Sequence, residues 1–197
     1  MNNLASRTAR TESRSARWRS SRPRSRSRVE PVGLDLRALT LLNNLGANLA
    51  RAGRPDDAAR VLREAAEGLE AKVGLAHPHA AAAWSQVASL MLEGKKPGEA
   101  LVIVDRLIEA AREARAEVRP DVLRSRARAL AMLGRTDEAA EEFRASLAAA
   151  RRAFAERPDR LHDFVRSILE FHEGVEDEAG VTEWRGVLDA LGPPVDG

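Results

Sequence analysis

His77 and His79 flank Pro78, and an HxH pair is a spacing that can hold a metal ion. Two ligands in a linker make a weak centre, because a zinc site wants three or four. The pair reads more simply as the linker that opens a helix. His162 and His172 stand ten residues apart, and the sequence places them at surface or capping positions. The run GKK (94–96) lacks the upstream glycine and the Ser/Thr of a phosphate-binding loop, and HEGVED (172–177) lacks the second His of a zinc-protease helix. No GxSxG elbow and no GxGxxG turn is present. The acid clusters DEAAEE (137–142) and EDE (176–178) open predicted helices, where the helix dipole favours negative charge. The chain has no cysteine, which removes a thiol nucleophile, a Cys-ligated metal and a disulfide framework. These residues carry no catalytic, cofactor or metal constellation, and the expectation is a non-enzyme without a cofactor.

The elements that would position such residues are helical throughout. In 197 residues, 44% are apolar and 31% charged, a soluble balance with enough chain for one domain with a sizeable core. The longest apolar runs fall far below the ~18 residues of a membrane span. No secretory signal is visible, because the basic N-terminus has no apolar block behind it. The expectation is therefore a cytoplasmic protein with no membrane partner. The absence of Tyr and Cys beside abundant Ala and Arg suggests a GC-rich bacterial gene.

The net charge of +2 conceals a split. Residues 1–28 hold nine Arg against one acid, Glu12, so the rest of the chain is acidic. Residues 1–33 are Ser/Arg-rich, have no helical or strand period, and are expected to be disordered. Three readings of this tail stay open. It is a solvated extension, an over-called start included; or an electrostatic arm for nucleic acid, with Arg on phosphates and Trp18 stacked on a base; or a targeting peptide.

From Asp35 onward the apolar spacing is that of helices. Ala38, Leu41, Leu42, Leu45 and Leu49 form one stripe, which predicts the core face of a first helix. Gly53 stops it and Pro55 opens the next, followed by Asp56 and Asp57 in the first turn. The same grammar returns. GRPDDAARVLREA (53–65) is echoed by GKKPGEALVIVDRL (94–107) and GRTDEAAEEFRASL (134–147). A small residue recurs at Ala58, Ala100 and Ala139, and a large apolar one at Leu62, Val104 and Phe143. Pro78, Pro120 and Pro158 start later pairs. Self-similarity near 40 residues, with two helices per unit, marks a helical solenoid.

Leu42, Leu45, Gly46, Leu49, Gly53 and Ala58 follow the pattern of the tetratricopeptide repeat, which this chain resembles. Trp84, Val87, Ala88, Met91, Gly94 and Ala100 repeat the pattern. Leu123, Ala127, Leu130, Gly134 and Ala139 do so again, except that Arg126 stands where the family has an apolar residue. A period near 42 and the link GLAHPHAA (74–81) resemble the subtype of kinesin light chains. Gly46, Ala88 and Ala127 would let paired helices approach closely. The resemblance implies an all-α, right-handed solenoid of three clear units, about 35–76, 77–118 and 119–157. A degenerate fourth unit follows at 158–191, then a short tail, 192–197. In that fourth unit Phe164, Ile168 and Phe171 share a stripe, Gly174 makes the turn, and either Ala179 or Gly180 is the small residue. Val181, Trp184, Val187 and Leu188 form its packing face, and Asp163, Arg166, Glu170, Glu173 and Glu183 suit a polar cap.

In the resembled family the first helix of each pair lines a concave groove for peptides. The matching positions are Asn43, Asn44, Ala47 and Arg51, then Ser85, Gln86, Ser89 and Glu93, then Arg124, Ser125 and Arg128. Asn side chains donate and accept at once, which suits a peptide backbone. Arg124 and Arg128, four apart, suit a carboxylate. The first two units lack the basic clamp of chaperone-tail receptors, so that ligand is disfavoured. The expected function is a scaffold or adaptor binding a protein or peptide. The alternatives are a nucleic-acid-associated regulator acting through residues 1–33, and a self-associating structural repeat protein.

Overall fold

A computed structural model describes residues 35–192. The expectations for residues 1–33 and for 193–197 lie outside them. Eight helices follow in order: α1 (Leu36–Arg51), α2 (Pro55–Val73), α3 (Pro78–Glu93), α4 (Pro97–Glu113), α5 (Pro120–Met132), α6 (Thr136–Ala153), α7 (Pro158–Gly174) and α8 (Glu178–Leu191). Each odd helix packs on the even helix after it, and the resulting pairs stack in sequence order. Among the described residues no strand occurs.

Helix starts follow local chemistry. Proline stands in the first turn of α2, α3, α4, α5 and α7, where its missing N–H has no helical partner. The carboxylate of Asp35 accepts from the Ala38 N–H at 2.7 Å and caps α1. The tight turns inside the pairs need one residue of left-handed backbone, supplied by Gly53, Lys95, Gly134 and Glu176. This corrects two assignments. The second and fourth turns fall on Lys95 and Glu176, not on Gly94 and Gly174. Gly94 has φ −75°, an ordinary helical value.

Ala58, Ala100 and Ala139 are buried, as are Leu62, Val104 and Phe143. Two glycines allow α1 and α2 to touch. A Cβ on Gly46 would stand 2.5 Å from Leu62 Cγ, and one on Gly68 would stand 2.5 Å from Leu39 Cδ2. One apolar cluster spans α1–α5, with Leu69, Trp84, Val87 and Leu107 among its members. A second spans α5–α8 around Phe143, Phe164, Ile168 and Trp184.

The stripe expected to be the core face of α1 is not the one that is buried. Leu39, Asn43 and Gly46 face α2, with Leu42 and Leu49 half-buried beside them. Leu41 is 68% exposed and Leu45 47%. In the fourth pair the small residue is Gly180, where an added Cβ would collide with the ring of His172; Ala179 is exposed. His162 and His172 are buried rather than at the surface. His172 Nδ1 pairs with Asp177 at 2.8 Å, and its ring stacks on Trp184.

Polar ties cross from pair to pair. Glu70 on α2 accepts from Trp84 Nε1 at 2.7 Å and from Arg106 at 2.8 Å, and Arg106 lies over the Trp84 ring. Arg126 on α5 reaches Asp105 on α4 at 2.8 Å and also pairs with Glu142 on α6. Burial pulls the Arg126 guanidinium down, but Asp105 and Glu142 more than offset that and hold it above its usual range. An arginine in the apolar position of the repeat is thus charge-compensated. Arg144 on α6 holds Glu183 on α8 with two hydrogen bonds, at 3.0 and 3.2 Å.

Candidate peptide-binding groove

The candidate face is built by the first helices α1, α3, α5 and α7. Repeat register aligns Asn44 with Gln86, Ser125 and Ser167, and Ala47 with Ser89, Arg128 and Glu170. Side chains four apart on one helix share a face, so each helix adds a short polar row.

The rows differ in depth. On α1, Asn44 and Arg51 are exposed and Ala47 is half-buried. Asn43 is buried, and its Oδ1 meets no protein donor. On α3, Gln86 and Ser89 are half-buried and Glu93 is exposed. Ser85 is buried and donates to Asp121 Oδ2 at 2.8 Å, tying α3 to the start of α5. Ser125 on α5 is buried too. Asn43, Ser85 and Ser125 therefore sit in the helix packing, behind the outward positions of their own helices.

Arg124 and Arg128 are brought together with groups of α7. The Arg124 guanidinium lies over the Phe164 ring, 4.7 Å from its centroid, and donates to Ser167 Oγ. Arg128 lies over Phe171 at 5.4 Å. Among the described residues neither arginine has a carboxylate within 4.0 Å. Burial depresses the Arg124 guanidinium below its usual range; Asp121 opposes this and the charge of Arg128 adds to it. Burial likewise depresses Arg128, with Glu93 opposing. Two adjacent cations, partly out of water and resting on aromatic faces, favour an incoming anion.

Phe164, Phe171 and Ser167 were not legible as partners of these arginines. Phe164 and Phe171 read only as packing residues of a degenerate unit. The available signal was register, because Ser167 repeats the position of Ser125 one unit later.

One further pocket holds charged groups. A cavity of 560 Å³ between α4, α5 and α6 is lined by Asp105, Glu109, Arg112, Arg126, Glu142 and Arg152. Its charges are mixed in sign, and several already pair with one another. Among the described residues no cluster of His, Asp and Glu has the geometry to hold a metal ion, and no helix is long and apolar enough to cross a membrane.

Comparison with known proteins gives one family. The tetratricopeptide repeat matches residues 38–79, which span α1, α2 and the first residues of α3. No curated protein matches the chain. The match and the paired helices together make the described residues an all-α solenoid of tetratricopeptide-type hairpins.

Proposed function

We propose that this solenoid is a non-catalytic adaptor or scaffold that binds an acidic peptide segment of a partner protein along α1, α3, α5 and α7. Tetratricopeptide repeats generally mediate protein–protein contacts, which supports the class of function. The observation that carries the ligand chemistry is the Arg124–Arg128 pair, set on Phe164 and Phe171 without a carboxylate partner. A carboxylate of the peptide bonds these guanidinium groups, while Asn44, Gln86 and Ser89 meet its backbone. Arg51 and Glu93 frame the rim where α1 and α3 end. The link from Gly74 to Pro78 supports the long-period subtype found in kinesin light chains. A cytoplasmic setting fits this use.

A random-peptide display selected on the full chain tests the reading. Acidic peptides are expected to be enriched, with affinity that falls as salt rises. Arg124→Gln with Arg128→Gln is expected to weaken them about 10- to 100-fold, the worth of one or two charge-assisted hydrogen bonds. Enrichment without acidic residues, or equal binding by the folded double variant, would remove the proposal.

A further inference from the structure

α1 carries two apolar faces, and the solenoid uses one. Leu39 and Gly46 pack against α2. Ala38, Leu41, Leu45, Asn48 and Ala52 form a second row, at alternating steps of three and four residues. That spacing is the seam of a helix that packs lengthwise on another helix.

The repeat register shows what such a row is for. Ala38, Leu41 and Leu45 align with Ala80, Ala83 and Val87 on α3. Those three are 0%, 0% and 3% exposed, within the cluster that joins α3 to α2 before it. Among the described residues no helix precedes α1, and Leu41 and Leu45 stand in solvent. Among the described residues the other exposed large apolar residues off α1 are Val102 on α4, and Leu133 and Val175 in the turns after α5 and α7.

We infer that the protein forms a two-fold dimer in which α1 packs antiparallel on α1 of a second copy, Leu41 of each chain against Leu45 of the other. Three observations select this occupant. Residues 1–33 offer nine Arg and only Met1, Leu4, Trp18, Val29 and Val32 as large apolar residues, without helical spacing, so they supply no matching row. The far end of the solenoid supplies none either: Trp184 is 2% exposed, and Val187, Leu188 and Leu191 are spent against the cluster of their own pair. The α1 row is complementary to itself. A dyad beside Asn43 sets Leu41 opposite Leu45 and Ala38 opposite Asn48, and such isologous contacts are the commonest in homo-oligomers.

Charge fixes the direction. Within α1 the charged residues are Arg37 and Arg51. A parallel pair would set each beside its own copy. The antiparallel pair separates the two Arg37 side chains by about 18 Å along the axis at 1.5 Å per residue, beyond the roughly 8 Å screening length. Asn44 and Arg51 border this row on α1 and Ala47 lies further round, while Arg124 and Arg128 on α5 lie outside the contact.

Light scattering and sedimentation of the full chain, from low to high micromolar, test the inference. The wild type is expected to pass from monomer to dimer. Leu41→Glu with Leu45→Glu, both at exposed positions, is expected to weaken the dimer about 100-fold or more with an unchanged helical spectrum. The chain lacks cysteine, so introduced thiols report direction cleanly. Chains with Ala38→Cys mixed with chains with Asn48→Cys are expected to join by a disulfide, and Ala52→Cys alone is not. A monomeric wild type, a Glu variant that dimerises as well as the wild type, or self-linked Ala52→Cys would overturn it. Dimerisation seen only after deleting residues 1–33 would also do so, and would make that segment the cover. None of these results bears on whether acidic peptides bind at Arg124.

Discussion

Arg126 shows how one residue departs from a repeat without breaking it. Its register partner Val87 is buried in the apolar layer, whereas Arg126 reaches across that layer to Asp105 and Glu142. Removing only the cation leaves a half-buried Glu142 without its partner, so Arg126→Ala is expected to cost about 2 kcal/mol in chemical denaturation. Arg126→Val with Glu142→Leu restores an apolar layer and is expected to recover most of that loss. If the single variant is neutral, the ion pairs are ornamental. Lys95 makes the converse case. It holds φ 56°, which costs a side-chain-bearing residue on the order of 1 kcal/mol, so Lys95→Gly is expected to raise the melting temperature. The reverse kind of change, Gly94→Ala, is expected to be harmless, because Gly94 has no such φ.

Among the elements, α1 with α2 and α7 with α8 are joined by different means. The first pair is closed by backbone proximity at Gly46 and Gly68. Gly46→Ala forces Leu62 aside, and the expected loss is about 1–3 kcal/mol, the usual range for overpacking. The last pair is closed by Asp177, which accepts from the Gly180 N–H at 3.1 Å and pairs with His172. The Gly180 hydrogen bond, then His172, hold the Asp177 carboxyl below its usual range. A depressed carboxylate stabilises the fold above its unfolded pKa, and this contribution fades as pH falls through its folded value. Thermal melts are therefore expected to weaken below about pH 4, the ordinary Asp value. Asp177→Asn should flatten part of that acid limb. An unchanged acid limb in the variant would show that other carboxylates dominate.

For the described solenoid as a whole, stability is a sum of pair and neighbour terms. Its two apolar clusters centre on α1–α4 and α6–α8, with Leu101 packed against both. Gly46→Ala is accordingly expected to raise amide exchange across α1–α4 and to leave α7–α8 near wild type. Uniform loss of protection would mean one cooperative unit. The two ends also differ: α1 offers Leu41 and Leu45 to solvent, while α8 turns Trp184 inward.

By itself the sequence determined the helix starts, the turn regions and the spacing of Ala58, Ala100 and Ala139, since Pro, Gly and side-chain size act over one or two turns of chain. It also marked Arg124 and Arg128. Only the tertiary structure decided which of two apolar rows on α1 is core, because both obey the same helical period and the choice depends on which side α2 occupies. The same holds for the seats of Arg124 and Arg128 on Phe164 and Phe171, and for the burial of His162 and His172. Each depends on how one pair is rotated against the next, and that rotation is set by summed packing across the pairs, not by any local run of residues.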